Sequence, residues 1–296
     1  MKNIAIINHG DNYVFGDLGK ALGLSFGELG WNVVEVETES EIRSLGDIDY
    51  AIILAPFDYQ KIRAWLPKTR IILYQLEILP WTNMIGLPVK RSLNKKWIKL
   101  NKLIQLNYDI IWDFTQYNIE NNLKRTNSHK TINYFPIGYS PIFDMDYLPE
   151  TIRSEVLFLG CSTNRRSIIL NSLWSMKCKL NAPKDVYGSM AIQLMKNADI
   201  NLNLHNNDVP VFEAQRVVQM AFSNKCFVIS EPCIQAPFQH GKHWIVTEQR
   251  MLLERINEFL KKPDERKQIA QNAYDYIKSH YTITQHLEKI VGKLEK

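Results

Sequence analysis

The sequence lacks the motifs that most readily assign a nucleotide-dependent activity. No GxGxxG turn follows the first apolar run and no GxxxxGK[ST] occurs, so neither a dinucleotide-binding dehydrogenase nor a P-loop enzyme has support. The four cysteines form no CxxC pair, and no apolar run approaches the roughly 18 residues of a membrane span. The start of the chain has no charged segment followed by an apolar one. We therefore expect free thiols and a cytoplasmic protein.

The composition is that of a folded chain with room for two domains. Of 296 residues, 45% are hydrophobic and 23% charged, which argues against global disorder. The net charge of +5 is uneven, since 16 basic and 17 acidic residues lie up to Glu150 and 20 and 14 follow it. A moderate positive excess in the second half suits an anionic ligand or a nucleic acid equally well.

Short apolar runs alternate with amphipathic segments through the first half. This pattern predicts βαβ units and a parallel sheet. Between the first two runs, Gly19, Gly23 and Gly27 are four residues apart, which predicts one helix face that packs closely on the sheet. The predicted strands are 3–8, 31–36, 50–55, 70–76 and 109–114.

The pattern restarts at residue 155, which predicts an α/β fold with two Rossmann-like domains. The second series has strands at 155–159, 185–187, 200–204, 226–230 and 243–247, and helices near 166–176, 190–197 and 213–222. The proline-rich stretch 135–149 has the composition of a linker. We predict a first domain over 1–140, a linker over 141–154, a second domain over 155–280 and a C-terminal helix over 281–296 that crosses back to the first domain.

A polar loop follows the first strand of the second series and leads into a helix. Gly160 ends the strand, and Asn164, Arg165 and Arg166 open the helix. A helix N-terminus offers free N–H groups to an anion, and arginine adds bidentate contacts to phosphate. The loop therefore predicts a diphosphate site, while a solvated arginine pair at a helix start is the alternative.

A second polar segment lies between a strand and a helix further along the chain. The strand ends at His205, and the helix begins at Glu213 after seven intervening residues. Arg216 lies one turn into that helix. A carboxylate at that position either caps its own helix or accepts hydrogen bonds from two ribose hydroxyls. Arg216 is either a second cation for a diphosphate or an exposed helix residue.

These residues resemble group-1 glycosyltransferases of the two-Rossmann-domain GT-B class. Phe-Glu-Ala at 212–214, the strand 226–230 that ends in Glu231, and the tail 241–281 follow the order seen in the spore-maturation-type branch. The resemblance covers about 155–290, and 135–141 resembles the family's linker. His205 stands where the family usually has the first glutamate of E-x7-E, and 206–210 replaces the usual glycine-rich turn.

The resemblance implies transfer of a sugar from a nucleotide-diphosphate sugar to an acceptor hydroxyl, with retention and without a metal cofactor. The acceptor would be a glycan, a lipid-linked sugar or another hydroxyl compound. A non-catalytic sugar-nucleotide or glycan-binding protein on the same fold is the alternative, because His205 departs from the family pattern. The implied donor-binding residues are Gly160, Asn164, Arg165, Arg166, Tyr187, His205, Glu213 and Arg216.

The first domain offers fewer candidates. His9 follows the first strand, where ligands of parallel sheets collect, so we treat it together with His205 as a candidate catalytic residue. Gln75 and Glu77 end another strand at the same edge and are candidate acceptor-binding residues. The pairs Asp47/Asp49 and Asp144/Asp146 precede a strand or lie in the linker, so we predict no metal site.

A basic segment at 90–102 carries six lysines and arginines and an apolar stripe that includes Trp97. It fits either a surface helix packed on the sheet or a peripheral contact with anionic lipid at the inner membrane face. It has no recognised nucleic-acid motif, so we expect no nucleic-acid partner.

Overall fold

The computed structural model describes residues 1–8, 16–54, 59–76, 78, 108–123, 131–146, 153–206, 210–234 and 236–294. The chain divides into two compact units, each built on its own parallel sheet. The first unit is Met1–Pro136 together with His286–Lys296, and the second is Ile137–Gln285.

The first unit contains a six-stranded parallel sheet in the order β2-β1-β3-β4-β5-β6. The apolar runs of the sequence form strands of this sheet, which confirms the five predicted strands, and the structure adds a sixth. The strands are β1 (Asn3–Ile7), β2 (Asn32–Val36), β3 (Tyr50–Ile53), β4 (Arg70–Gln75), β5 (Ile110–Asp113) and β6 (Thr131–Tyr134). The helices are α1 (Gly16–Glu28), α2 (Glu39–Ser44), α3 (Tyr59–Trp65) and α4 (Gln116–Asn118), the last continuing as a π-helical turn, Ile119–Leu123.

Two of the three glycines that were predicted to share one face of α1 pack closely, as predicted. A Cβ at Gly19 would lie 3.2 Å from Leu54 Cδ1, and one at Gly23 would lie 2.6 Å from Glu35 Oε1. Nothing lies within 4 Å of the same position at Gly27, so the prediction is wrong there. The close packing is confined to the first two turns of the stripe.

The second unit contains a five-stranded parallel sheet in the order β11-β10-β9-β7-β8. Its strands are β7 (Ser154–Phe158), β8 (Leu180–Asn181), β9 (Ala198–Asn203), β10 (Val228–Ser230) and β11 (Ile245–Val246). Its helices are α5 (Asn164–Ser175), α6 (Gly188–Lys196), α7 (Leu252–Leu260), α8 (Pro263–His280) and α9 (Ile283–Leu294), the last of which ends in the first unit. Short 3-10 turns lie at Pro141–Phe143, Phe222–Asn224 and Gln249–Met251.

One local prediction in this unit is wrong, and a second, the helix over 213–222, is confirmed with a different helical geometry. The edge strand lies at Leu180–Asn181 and not at 185–187, because Asp185 has a φ of 55° and Tyr187 is the N-cap of α6. The helix predicted over 213–222 is π-helical over Gln215–Ala221. Carbonyls in such a turn accept hydrogen bonds from N–H groups five residues ahead, a geometry that is frequent at functional sites.

Residues 137–146 of the proline-rich stretch pack within the second unit. Ile137, Tyr139 and Phe143 are buried, and Tyr139 exchanges backbone hydrogen bonds with Tyr281 and Ile283. A Cβ at Gly138 would lie 2.7 Å from the carbonyl oxygen of Tyr281, so only glycine permits this approach.

The C-terminal part of α9 is fastened to the first unit. Tyr50 Oη and Arg70 Nη1 both donate to the Leu294 carbonyl, at 2.6 and 2.8 Å. Within the described ranges, none of the helices has the length and apolar character needed to cross a membrane.

Candidate functional site

Charged side chains converge at the carboxyl edge of the second sheet. The strands β7, β9 and β10 are neighbours and run parallel, so the loops that follow Phe158, Asn203 and Ser230 meet at one edge. Ligands of open parallel sheets bind at this edge. The cluster at that edge consists of Arg165, Arg166, Arg216, Glu213 and Glu231, and we call it the arginine–glutamate cluster.

Two arginines hold the carboxylate of Glu213. Arg166 Nη2 lies 2.9 Å from Oε1, and Arg216 Nη2 lies 2.7 Å from Oε2. The Glu213 side chain is 15% exposed and that of Arg166 is 2% exposed. The two guanidiniums carry two positive charges and the carboxylate carries one negative charge. One positive charge therefore remains in excess at this point.

The loop after β7 is shaped to admit these guanidiniums. The Phe158 ring lies beneath both, with centroids 5.3 Å from Arg166 Cζ and 5.4 Å from Arg216 Cζ. A Cβ at Gly160 would lie 2.8 Å from Arg216 Nη2, so the glycine leaves room for that side chain. Gly160 thus shapes the site through its missing side chain.

Burial and neighbouring charge together act on Arg216. Burial lowers the pKa of its guanidinium from the ordinary value, the Glu213 carboxylate opposes that change, and the Arg166 charge adds to it. The side chain is further held by Asn203 Oδ1 and the Leu204 carbonyl, at 3.1 and 3.3 Å from Nη1.

Arg165 forms a separate ion pair with Glu231. Its Nη1 and Nη2 donate to the two carboxylate oxygens at 2.8 and 2.5 Å, and its side chain is 27% exposed. The backbone N–H of His205 donates to the same carboxylate at 2.8 Å. Burial by itself raises the pKa of Glu231, but the hydrogen bonds from Arg165 and His205 outweigh it and the net pKa is lowered.

The ring of His205 is buried beside this ion pair. Nε2 lies 2.8 Å from the Pro232 carbonyl, which only accepts, so the ring proton of a neutral imidazole is on Nε2. Nδ1 is buried and has no hydrogen-bond partner among the residues that the structure describes. In that tautomer Nδ1 is an acceptor, and Cys233 Sγ lies 3.8 Å from Nε2.

Helix α5 begins at this edge and is capped by its own loop. Thr163 Oγ1 accepts from Arg166 N and donates to the Asn206 carbonyl. The N–H groups of the first turn, at Asn164 and Arg165, therefore lie at the carboxyl end of β7. A helix N-terminus stabilises negative charge.

Tyr187 lies at the start of α6, the helix that follows the edge strand. The side chain is 58% exposed and makes no capping hydrogen bond, and Gly188 after it has a φ of 58°. The residue is therefore exposed and not part of a buried strand.

The candidates of the first unit are only partly described. His9, Glu77 and the basic segment 90–102 lie outside the described residues. Gln75 is buried at the end of β4, beside Asp113 on β5. Burial raises the pKa of Asp113 well above its ordinary value, against hydrogen bonds from Thr115 and Asn118.

The aspartate pairs have structural partners. Asp49 Oδ2 accepts from Asn3 N at 2.8 Å, and Asp144 Oδ2 accepts from the hydroxyls of Tyr139 and Tyr274. In the part of the chain that the structure describes, no three His, Cys, Asp or Glu side chains are grouped so as to hold a metal ion.

Sequence reasoning missed several members of this edge as site residues. Glu231 carried no signal of its own beyond ending a strand, and Asn203 and Cys161 were likewise not singled out. Cys161 Sγ and its carbonyl both accept from Arg166 Nη1 at 3.2 Å. The contact between Arg166 and Glu213 joins residues 47 positions apart, so only the sheet order brings them together.

Residues 157–292 match the model of a family described as glycosyl transferase-like. The matched region contains the arginine–glutamate cluster. No curated protein matches the chain at a significant level.

Solved structures match the whole chain. An α-glucosyltransferase (AGT) in complex with UDP has a TM-score of 0.68 at 10% identity, with 100% of both chains covered. Anabaena Alr3699/HepE in complex with UDP and glucose has a TM-score of 0.67 at 9% identity, also with 100% of both chains covered. A sucrose-phosphate synthase (tll1590) from Thermosynechococcus elongatus has a TM-score of 0.62 at 10% identity, with 100% of this chain and 99% of that chain covered.

The chain therefore has the predicted α/β fold of the GT-B class, with two Rossmann-like units. Its second unit carries a glycosyl transferase-like domain, which confirms the predicted enzyme class at the level of this domain.

Proposed function

We propose that this protein transfers a sugar from a nucleotide-diphosphate sugar to an acceptor hydroxyl. The observation that carries the proposal is the arginine–glutamate cluster at the carboxyl edge of the second sheet, inside the region that matches the glycosyl transferase-like family. Structures similar to this chain were solved with UDP, with UDP and glucose, or with UDP-glucose. The resemblance in the tail 241–281 supports a place near the spore-maturation-type branch.

The departing diphosphate needs positive charge close to it as the bond to the sugar breaks. Arg165 is the most exposed of the three arginines of the cluster, and it lies on the first turn of α5. A fixed guanidinium and a helix N-terminus stabilise the developing charge electrostatically. The diphosphate would replace Glu231 as a partner of Arg165. In this proposal Asn164 and the backbone at Gly160 line the same site.

The remaining donor contacts follow from position. Glu213 accepts from the ribose hydroxyls, Tyr187 lies beside the base, and His205 accepts through Nδ1 from a hydroxyl of the transferred sugar. A phosphate oxygen cannot fill that last role, because it has no proton to donate.

We propose retention of the anomeric configuration and no metal requirement. In a retaining transfer the bond between the anomeric carbon and the leaving phosphate oxygen breaks, the acceptor oxygen bonds to the same face, and the leaving phosphate takes the acceptor proton. No dedicated protein base is then required, and His9 remains a candidate only for orienting the acceptor. The structural partners of Asp49 and Asp144 support the metal-independent form.

The acceptor is proposed to be a glycan, a lipid-linked sugar or another hydroxyl compound, with Gln75 and Glu77 as candidate contacts. We propose a cytoplasmic protein without a nucleic-acid partner. The basic segment 90–102 is the proposed contact with anionic lipid.

The test begins with binding and continues with turnover. Nucleoside diphosphates are first screened by thermal unfolding of the full chain, since a ligand at 100 times its Kd stabilises by about 2.7 kcal/mol. Release of nucleoside diphosphate from a panel of nucleotide sugars is then measured with EDTA present. Arg165→Met should abolish release, and Arg153→Met, whose side chain is 78% exposed, is the matched control.

Three results separate the candidate functions. Release or transfer that survives EDTA supports the metal-independent transferase. Donor binding without release favours the sugar-nucleotide-binding alternative. Absence of both binding and release across the panel overturns the proposed function.

A further inference from the structure

Arg166 uses all of its hydrogen-bond donors within the protein. Nε donates to the Leu204 carbonyl at 3.0 Å, and Nη1 donates to the carbonyl and Sγ of Cys161 at 3.2 Å each. Nη2 donates to the Leu204 carbonyl at 2.8 Å and to Glu213 Oε1 at 2.9 Å. A guanidinium has five N–H groups, and these contacts account for all five.

Arg165 and Arg166 are adjacent in sequence but differ in what surrounds them. Successive helical residues point about 100° apart, so one arginine of the pair turns inward where the other does not. The Arg166 side chain is 2% exposed and that of Arg165 is 27% exposed. A phosphate could engage Arg166 only by displacing one of its internal acceptors.

The contacts of Arg166 fix the carboxylate of Glu213. Nη2 spans both oxygens, at 2.9 Å from Oε1 and 3.2 Å from Oε2, while Arg216 approaches Oε2 at 2.7 Å. An ionised carboxylate has about four lone-pair sites, so the two arginines leave acceptor capacity for further hydrogen-bond donors. The same guanidinium holds the Leu204 carbonyl at the end of β9.

We propose that Arg166 is a positioning residue that orients Glu213 toward the ribose hydroxyls, and that Arg165 supplies the contact with the diphosphate. The proposal rests on the proposed function, because it assumes a nucleotide at this edge. It divides the arginine pair of the loop into one residue that acts through Glu213 and one that touches the ligand.

A ladder of ligands tests this division. Uridine, UMP and UDP, and the matching guanosine, adenosine, cytidine and thymidine series, are titrated by calorimetry into the wild type, Arg166→Met and Arg165→Met. Arg153→Met is the control, because the Arg153 side chain is 78% exposed. Arg166→Met should weaken nucleoside and diphosphate by the same factor, roughly tenfold or more, the size expected for one charge-assisted hydrogen bond. Arg165→Met should weaken the diphosphate by at least that factor and leave the nucleoside unchanged.

A coupling measurement separates positioning from a merely structural role. In the Glu213→Gln background, Arg166→Met should cause little further loss of nucleoside affinity, since both changes remove the same oriented acceptor. Independent additive losses would contradict the proposal. So would an Arg166→Met protein that loses affinity only for the diphosphate.

The proposal stays testable if Arg166→Met fails to fold. The titrations of nucleoside, nucleoside monophosphate and nucleoside diphosphate are then made with Arg165→Met and Glu213→Gln. An unchanged ratio of diphosphate to nucleoside affinity in Arg165→Met overturns the division. If the wild type binds no member of any series, the proposed function itself is refuted. If the wild type binds but the variants do not show the expected losses of nucleoside and diphosphate affinity, only this inference is refuted.

Discussion

Neutralising Glu213 should weaken both the fold and nucleotide binding. Glu213→Gln keeps one oxygen acceptor and places an amide N–H group against a guanidinium. The carboxylate oxygens now contact Arg166 Nη2 at 2.9 Å and Arg216 Nη2 at 2.7 Å, and in the glutamine variant only one of these two contacts keeps an oxygen acceptor. From the sequence alone we expect Glu213→Gln to weaken nucleoside diphosphate binding and to leave the fold intact. The buried ion pairs change that expectation.

The size of the effect follows from the number of contacts. A hydrogen bond to a charged group contributes about 1.5–3 kcal/mol, and removing one partner of a buried pair costs up to about 5 kcal/mol. Arg166 keeps its bonds to Leu204 and Cys161, so we expect a loss near the lower figure, about 2–3 kcal/mol. For a unit of this size that is a fall in Tm of roughly 4–12 °C.

The assay pairs thermal unfolding with calorimetry. Glu248→Gln is the matched control, because the same chemical change falls on an ion pair with Arg250 in which the Glu248 side chain is 62% exposed. Exposed pairs contribute about 0–1 kcal/mol, so the control should shift Tm little. In the folded Glu213→Gln protein, nucleoside diphosphate affinity should fall roughly 10- to 150-fold. A Tm equal to that of the control would refute a stabilising role for the contacts of Glu213 with Arg166 and Arg216. An unchanged affinity for nucleoside diphosphate would remove Glu213 from the donor site.

Three further predictions use other parts of the chain. Burial, together with the charge of Lys289, lowers the pKa of His286 from 6.5 to about 4. Between pH 6.5 and pH 4 the unfolded chain therefore takes up a proton at His286 that the folded chain does not. The free energy of unfolding falls by up to about 3 kcal/mol over that range. His286→Gln should flatten urea-unfolding stability across that range, and an unaltered slope would contradict this. His205→Asn keeps an acceptor near the Nδ1 position, and His205→Gln keeps a donor toward Pro232. The asparagine variant should therefore still bind a nucleotide sugar more tightly than its nucleoside diphosphate, whereas the glutamine variant should bind the two equally. Equal behaviour of the two variants argues against a contact at Nδ1. The segment 90–102 should bind anionic vesicles in a salt-sensitive way, at about 1 kcal/mol per basic residue near the surface, and equal sedimentation with neutral vesicles at low salt would rule that out.

The strands were predictable because they bury continuous apolar runs. Those of β1, β3 and β5 are buried along almost their whole length, which leaves a signal that needs no long-range information. β6 was missed because Thr131 and Asn133 interrupt its apolar residues. The edge strand was misplaced because β8 has only two residues, too few for a period to be read.

The candidate donor site was predictable as a set of residue types and not as a set of contacts. The glycine, the arginine pair and Glu213 each stand next to a strand end or helix start, which local sequence marks. Which arginine faces which carboxylate depends on the order β10-β9-β7. No pattern in a single sequence specifies that order, so the pairing of Arg165 with Glu231 was not foreseen.

The two ion-paired groups of the cluster differ in how readily a ligand can enter them. Glu213 has two guanidinium partners, and one of them, Arg166, has no other donor to offer. Glu231 is held by the partly exposed Arg165 and by one backbone N–H group. The Arg165 side chain is 27% exposed, whereas those of Arg166 and Arg216 are 2% and 13% exposed, so an anion reaches Arg165 without entering the contacts of Glu213. The Glu231 side chain is only 4% exposed, but it keeps the hydrogen bond from the His205 N–H group when the anion replaces it at Arg165. A diphosphate should therefore exchange into the Arg165 pair and leave the contacts of Glu213 with Arg166 and Arg216 intact.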